Sequence, residues 1–230
     1  TQDVEKLVRH GLVHDLVEHM AQLDADGLLD LATANFDTHD VSVMLGNADG
    51  TFQAAQDFAA SNGPLSIVTG DLNADGQLDL VTANNADVSV LLGNGNGSFQ
   101  APANLDIGSL PTSVAVGDFN ADGYDDLASF HPSNGTWWVS LSDAANGNLT
   151  FLPPQLWADY ATNSGWTAQV VGDFNGDGRA DIANFHPSNG TWWVSLAQPG
   201  GGFNTTLWAD YATNSGWTAQ VVGDFNGDGY

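Results

Sequence analysis

Short apolar runs separated by clusters of Gly, Asn and Pro recur along the chain from about residue 21 to its end. In the clearest example, apolar and polar residues alternate in four segments, at 167–173, 180–185, 191–196 and 203–208. Alternation with a period of two, bounded by turn residues, is typical of antiparallel β-strands. The pattern therefore predicts an all-β chain.

These four strands form one copy of a repeat. An acidic nine-residue segment, Asp-x-Asn-x-Asp-Gly-x-x-Asp, follows the first strand and begins at positions 71, 118 and 173, with weaker copies at 22 and 224. Four strands in about fifty residues are typical of one four-stranded antiparallel blade of a β-propeller. The predicted blades are 21–62, 63–110, 111–165 and 166–216, followed at 217–230 by the first strand and partial loop of a further blade.

Residues 1–20 have a different pattern. Apolar side chains, including Leu12 and Leu16, are spaced roughly as on one face of a helix, with charged residues between them. This predicts a short helix in which His10 and His14 lie on a solvated face. The alternative is that residues 16–22 form the first strand of a degraded repeat, because they align with residues 65–71.

The acidic segments have the ligand chemistry of a calcium loop. Positions 1, 3, 5 and 9 supply side-chain oxygens, position 7 supplies a backbone carbonyl, and Gly at position 6 permits a sharp turn. The predicted metal ligands are Asp71, Asn73, Asp75, Gln77, Asp79, Asp118, Asn120, Asp122, Tyr124, Asp126, Asp173, Asn175, Asp177, Arg179 and Asp181, with Asp24, Asp26, Asp30, Asp224, Asn226 and Asp228 in the weaker copies.

The weaker copies depart from the pattern in different ways. Gln22 replaces the first carboxylate of the first copy, and the copy at 224 has no ninth position. Asp, Asn and Gly are also ordinary turn residues, so a solvated turn would explain a single copy equally well. Three complete copies favour Ca²⁺ over this alternative.

The charge of the chain limits its partners and location. It contains 28 Asp and Glu but 3 Lys and Arg, which gives a net charge of −25 at pH 7. Without a basic patch it does not displace counterions from phosphates, so nucleic acid is excluded, and no apolar run is long enough for membrane insertion. Calcium modules outside cells bind at about 10⁻⁴ to 10⁻³ M, so we expect an extracellular or cell-surface location.

The segments Val-Thr-Gly-Asp-Leu-Asn-Ala-Asp-Gly-Gln-Leu-Asp-Leu at 68–80 and Val-Gly-Asp-Phe-Asn-Gly-Asp-Gly-Arg-Ala-Asp-Ile at 171–182 resemble FG-GAP/VCBS repeats. These are the calcium-loop repeats of integrin alpha-subunit propellers and of many bacterial surface proteins. The resemblance implies that the acidic loop joins the first two strands of each blade and holds Ca²⁺, in a propeller that usually has about seven blades. About four blades and a fragment are visible here, so the alternatives, in order of preference, are a piece of a larger propeller, a small closed ring, and assembly between chains through exposed blade edges.

A second group of residues is predicted on the opposite face. All 8 Trp lie between positions 137 and 217, where residues 156–166 recur unchanged at 207–217. In an up-and-down blade, the turn between strands 2 and 3 and the crossover to the next blade emerge opposite the acidic loops. Aromatic and amide groups there suit sugar rings, although packing between blades is the alternative role for the Trp residues. The candidate ligand-binding residues are His131, Asn134, Tyr160, Asn163, Trp166, His186, Asn189, Tyr211, Asn214 and Trp217.

No catalytic motif accompanies these groups. The sequence contains no Gly-x-Ser-x-Gly elbow, phosphate loop or Cys/His pair. We therefore predict a calcium-stabilised extracellular binding or adhesion module for carbohydrate or protein, and not an enzyme. The alternative is a structural propeller attached to, or itself forming, a polysaccharide-degrading enzyme.

Overall fold

The computed structural model describes residues 18–107, 111–143, 149–160, 167–186 and 190–210. Within these ranges the chain is all-β and contains no helix, as the alternation of apolar and polar residues predicts. It follows that the described residues include no helix long and apolar enough to cross a membrane. The helix predicted for residues 1–20 falls mostly outside the described residues.

The described strands form four four-stranded antiparallel sheets, each with its strands in chain order. The first sheet contains β1 (Glu18–Ala21), β2 (Asp30–Asn35), β3 (Asp40–Met44) and β4 (Gln56–Ala59). The second contains β5 (Ser66–Gly70), β6 (Asp79–Ala83), β7 (Val88–Leu91) and β8 (Ala103–Leu105).

The third sheet contains β9 (Ser113–Gly117), β10 (Asp126–His131), β11 (Thr136–Ser140) and β14 (Gln155–Asp159). A small hairpin, β12 (Ser142–Asp143) and β13 (Thr150–Phe151), lies between its third and fourth strands. The fourth sheet contains β15 (Thr167–Gly172), β16 (Asp181–His186), β17 (Thr191–Ala197) and β18 (Phe203–Asp210).

The second strand of each sheet is the most deeply buried. All residues of β6, β10 and β16 are buried, as are the first five residues of β2. Between the starting Asp and the strand end, these strands carry mainly apolar or small side chains on both faces, which is typical of a strand covered on both sides. Each begins with the Asp at position 9 of an acidic loop, so the loops are anchored to the interior of the sheets.

The chain divides into two compact units, Thr1–Asp71 with Asp75–Val114, and Leu72–Ala74 with Ala115–Tyr230. The first unit has a core of aliphatic side chains from its two sheets, including Val41, Leu80 and Leu91. The core of the second unit is aromatic, with Phe119, Phe130 and Trp137 almost fully buried.

An aromatic pair joins the two sheets inside each unit. Phe58, in β4, lies edge-on to Phe99, in the connection between β7 and β8 of the second sheet, with ring centroids 5.2 Å apart. Trp157, in β14, lies edge-on to Phe203 of the fourth sheet at 5.1 Å. The same interaction therefore recurs although the residue types differ, and it is worth about 0.5–1.5 kcal/mol beyond the buried area.

Backbone contacts inside the first unit agree with the predicted placing of the connections. The Gly97 N–H, in a connection between strands 3 and 4, donates to the Leu23 carbonyl in an acidic loop. The Gly63 N–H, in a crossover, donates to Nδ1 of His39, which lies in a turn between strands 2 and 3. Acidic loops thus contact strand 3–4 connections, and crossovers contact strand 2–3 turns.

Candidate functional site

The carboxylate at position 1 of each complete acidic loop accepts N–H groups from the loop itself. In the loop beginning at Asp118, Oδ1 accepts the Asp122 N–H at 3.1 Å and Oδ2 accepts the Gly123 N–H at 2.8 Å. The loop beginning at Asp71 shows the same two bonds, and the loop beginning at Asp173 adds a third, from Gly176. The loops are therefore wound around their first carboxylate.

Two residues of each described loop adopt left-handed backbone conformations. Position 6 is always Gly, with φ between +82° at Gly76 and +91° at Gly123. Position 4 is also left-handed, and it is Ala in two of the complete loops, with φ of 54° at Ala74 and 61° at Ala121. Non-Gly residues in this region carry a cost of about 1–2 kcal/mol, so the loop conformation is imposed by its hydrogen bonds.

The Asp at position 9 makes a second, buried set of contacts. Asp126 is fully buried, its Oδ2 accepts the Phe119 N–H at 3.0 Å, and its Oδ1 accepts the Ser142 N–H at 2.8 Å, just after β11. Asp181 makes the corresponding bonds with Phe174 and Ala197. This carboxylate therefore ties the start of the loop to the end of the third strand.

The first loop retains this tie although it lacks the first carboxylate. Asp30 is fully buried and accepts the Leu23 N–H at 2.6 Å and the Gly46 N–H at 2.8 Å. Position 9 thus has a structural role that does not depend on the other ligand positions. Sequence reasoning missed this role. The signal that could have found it is that the first loop has Asp30 at position 9 although Gln22 replaces the Asp at position 1.

Like charges are concentrated around position 9. Desolvation on burial raises the pKa of Asp126 to about 7. The negative charges of Asp122 and Asp118 also raise this pKa, whereas the hydrogen bonds from the Ser142 and Phe119 N–H groups lower it. Burial also raises the pKa of Asp181, to which the charges of Asp177 and Asp173 contribute. The carboxylates of one loop are therefore close enough to repel one another.

The donor set of the loops fits a hard cation in its chemistry. The side chains at positions 1, 3, 5 and 9 present oxygen atoms, and oxygen is the ligand of Ca²⁺. In the loop beginning at Asp173, the guanidinium of Arg179 already contacts Oδ2 of Asp177 as a resident cation. Within the part of the chain that the structure describes, no three His, Cys, Asp or Glu side chains are grouped so that they could share a metal ion.

The predicted ligand face contains both exposed and buried residues. Asn134 is exposed, and its Oδ1 caps the turn by accepting the N–H and the hydroxyl of Thr136. His131 and His186 are only 5% and 4% exposed, so they lie in the packing of the sheets and not at a surface that a ligand could reach.

Tyr160 lies beside this turn but points into the protein. Its N–H donates to the Gly135 carbonyl, which brings the crossover and the strand 2–3 turn together as predicted. Its hydroxyl bonds to Ser195 and accepts Nδ2 of Asn184 at 3.1 Å, which joins the third sheet to the fourth. Tyr160 therefore connects two sheets and does not present its hydroxyl to solvent.

Nine of the predicted site residues lie outside the described residues. They are the ligand-face residues Asn163, Trp166, Asn189, Tyr211, Asn214 and Trp217, and the loop residues Asp224, Asn226 and Asp228.

The repeats match a known family model. The FG-GAP-like repeat matches three times, at residues 22–82, 71–129 and 118–184, so that each match runs from one acidic loop into the next. This chain belongs to the FG-GAP-like repeat family. A search of proteins with curated descriptions finds no significant match.

Solved structures resemble the chain over most of its length. A lectin from Agrocybe aegerita, described as specifically recognising non-reducing terminal N-acetylglucosamine, is 26% identical with a TM-score of 0.61, covering 82% of this chain and 50% of the lectin. A protein from Lactobacillus plantarum is 20% identical with a TM-score of 0.53, covering 80% of this chain and 54% of that protein. The pore of the Photorhabdus luminescens Tc holotoxin is 18% identical with a TM-score of 0.50, and the match covers 82% of this chain and 9% of the holotoxin chain.

These likenesses establish the fold as a β-propeller type built from four-stranded antiparallel blades. The FG-GAP-like repeat chain spans about half the length of the lectin and of the Lactobacillus plantarum protein.

Proposed function

We propose that this FG-GAP-like repeat chain is a calcium-stabilised, extracellular β-propeller module that binds carbohydrate and has no enzymatic activity of its own. The likeness to a lectin at 26% identity over 82% of the chain carries this proposal. It supports carbohydrate over protein as the ligand class, because the lectin is described as recognising a terminal sugar.

Calcium is proposed for the three complete loops. The residues that would hold it are those at positions 1, 3, 5 and 9, with the backbone carbonyl of position 7: Asp71, Asn73, Asp75, Gln77, Asp79, Asp118, Asn120, Asp122, Tyr124, Asp126, Asp173, Asn175, Asp177, Arg179 and Asp181. A bound divalent cation would neutralise carboxylates that otherwise repel one another. Weak calcium modules fill only at the millimolar concentrations found outside cells, which supports the extracellular location.

The proposed sugar-binding surface is the face formed by strand 2–3 turns and crossovers. Among the candidate residues of this face that the structure describes, Asn134 is exposed, and the Tyr160 N–H donates to the Gly135 carbonyl, which holds the turn against the crossover. His131 and Tyr160 support this surface from inside. Sugar recognition requires polar groups in fixed positions, which such a braced turn supplies.

Thermal unfolding tests the calcium part of the proposal. Calcium at about ten times its dissociation constant should contribute about 1.4 kcal/mol at each site. Three sites would contribute about 4 kcal/mol, which corresponds to a rise in Tm of roughly 8–16 °C for a chain of this size.

A matched pair of variants makes this test specific. The double variant Asp118→Asn with Asp122→Asn should lose part of the calcium-dependent rise in Tm, whereas Asp37→Asn, an exposed acid outside the loops, should keep all of it. Equal Tm values in calcium and in chelator would show that the loops are only turns.

Glycan binding is tested separately, in millimolar calcium. We expect the chain to retain glycans ending in N-acetylglucosamine on an array and to bind them in calorimetry, with galactose-terminated glycans as the control. Asn134→Ala should weaken binding without changing Tm by more than a few degrees. Absence of binding to any glycan would leave a structural module, and release of shorter sugars during incubation would contradict the non-enzymatic assignment.

A further inference from the structure

The acidic loop that begins at Asp173, the fourth along the chain, contains a basic side chain. The chain has three basic residues, and Arg179 is the one among the described residues. Its guanidinium forms an ion pair with Oδ2 of Asp177, two positions earlier in the loop. Both side chains are partly shielded, with 15% of Arg179 and 28% of Asp177 exposed.

A second contact fixes the direction of this side chain. Nε of Arg179 donates to the Ala197 carbonyl at 3.0 Å, at the end of β17. The N–H of the same residue, Ala197, donates to Asp181 at position 9. The guanidinium is therefore held over the loop by the strand end that also holds the buried carboxylate.

The third loop, which begins at Asp118, provides a matched comparison within the chain. It has the same Asp-Phe-Asn-x-Asp-Gly framework, and its Asn120 donates to Asp122 at 2.9 Å as Asn175 donates to Asp177. At position 7, however, it has Tyr124 in place of Arg179, and at position 8 Asp125 in place of Ala180. With every carboxyl group counted as ionised, the side chains of the third loop therefore sum to four negative charges, against a net two in the fourth.

We propose that Arg179 is a resident counter-ion that neutralises Asp177 and lowers the calcium affinity of the fourth loop relative to the third. This inference rests on the proposed function, in which both loops hold calcium. A cation entering the fourth loop must compete with the guanidinium for Asp177 and is repelled by its charge. At the distances and screening of a partly exposed site, such an effect corresponds to about tenfold in affinity.

Calorimetric calcium titration of the full chain tests the inference through two reciprocal substitutions. Arg179→Gln should tighten the weaker binding about tenfold, while Tyr124→Arg should weaken one of the tighter sites by a similar factor. Arg179→Lys keeps the charge but loses the fork that reaches both partners, so its calcium affinity should fall between those of Arg179→Gln and the unchanged chain.

Thermal unfolding separates this role from a purely structural one. In chelator, Arg179→Gln should lower Tm because Asp177 loses its counter-ion, and in saturating calcium the difference should disappear. A loss of Tm that is the same in chelator and in calcium, or calcium affinities unchanged by both substitutions, would overturn the inference while leaving calcium binding intact. Absence of calcium binding to the unchanged chain would instead overturn the proposed function, and the inference with it.

Discussion

The aspartate at position 9 shows how one residue can serve two purposes. Sequence patterns assign it to a cation, whereas the structure shows both of its oxygens bonded to backbone N–H groups at the loop start and the third strand end. A carboxylate oxygen has two lone pairs, so these bonds leave further acceptor capacity. The buried tie and the proposed cation site are thus compatible, and Asp30, Asp126 and Asp181 each make both bonds of the tie.

The first prediction isolates the tie at Asp30. Asp30→Asn replaces one acceptor with an amide NH₂ that faces a backbone N–H, so it should lower the free energy of unfolding by about 2–3 kcal/mol. Because Gln22 leaves this loop short of a carboxylate, the loss should be the same in calcium and in chelator. Urea unfolding measures it.

The matched control is Asp26→Asn in the same loop. Asp26 is exposed, and its Oδ1 accepts the Leu28 N–H at 2.8 Å. Asp26→Asn should lower the free energy of unfolding by less than about 1 kcal/mol. Equal losses for the two variants would contradict a special role for position 9.

The sequence predicts the conformation of single residues correctly where that conformation depends on the local backbone. The Gly at position 6 was expected to permit a sharp turn, and Gly76, Gly123 and Gly178 are all left-handed. The inward hydroxyl of Tyr160 was not foreseen, because its partners Asn184 and Ser195 come from a different sheet. Long-range packing of this kind leaves no local pattern in the sequence.

At the scale of elements, the strands follow the alternation pattern closely. The strands expected at 180–185 and 191–196 are Asp181–His186 and Thr191–Ala197 in the structure. For residues 16–22, the strand alternative agrees with β1, which crosses the boundary predicted between residues 20 and 21. The β12–β13 hairpin was missed because its strands have two residues each, too few to show a period.

The repeated Trp residues give a prediction at this scale. Trp157 and Trp208 occupy equivalent positions in identical segments, but Trp157 is 7% exposed and Trp208 is 50% exposed. Both contact the Phe of their own acidic loop, and Trp157 also packs against Phe203 of the next sheet. Trp157→Ala should therefore cost about 3–5 kcal/mol of unfolding free energy, and Trp208→Ala about 1–2 kcal/mol.

The neighbouring leucines are the control for this comparison. Leu156 and Leu207 precede the two Trp residues and are both 48% exposed. Their replacement by Ala should have equal, small effects in chemical unfolding. If the two Trp variants lost equal stability, Trp208 would have to be covered in solution by a surface equivalent to that around Phe203.

At the scale of the whole molecule, charge is the dominant property. A net charge of −25 on 230 residues favours expanded states, because compaction brings like charges together. With three basic residues, the chain has few attractive ion pairs to offset this repulsion. The ion pair between Arg179 and Asp177 is an attractive interaction of this kind.

The excess of like-charge repulsion over attractive ion pairs determines whether added salt raises or lowers Tm. Raising NaCl from 0.01 M to 0.1 M shortens the screening length from about 30 Å to about 10 Å, which weakens repulsion between separate loops. In chelator, Tm should therefore rise by several degrees, since attractive pairs that salt could weaken are scarce. In saturating calcium the rise should be much smaller, because the proposed sites already carry positive charge. A Tm that stays constant or falls with salt in chelator would mean that acidic self-repulsion does not limit stability, and would remove charge neutralisation as the reason for calcium in the loops.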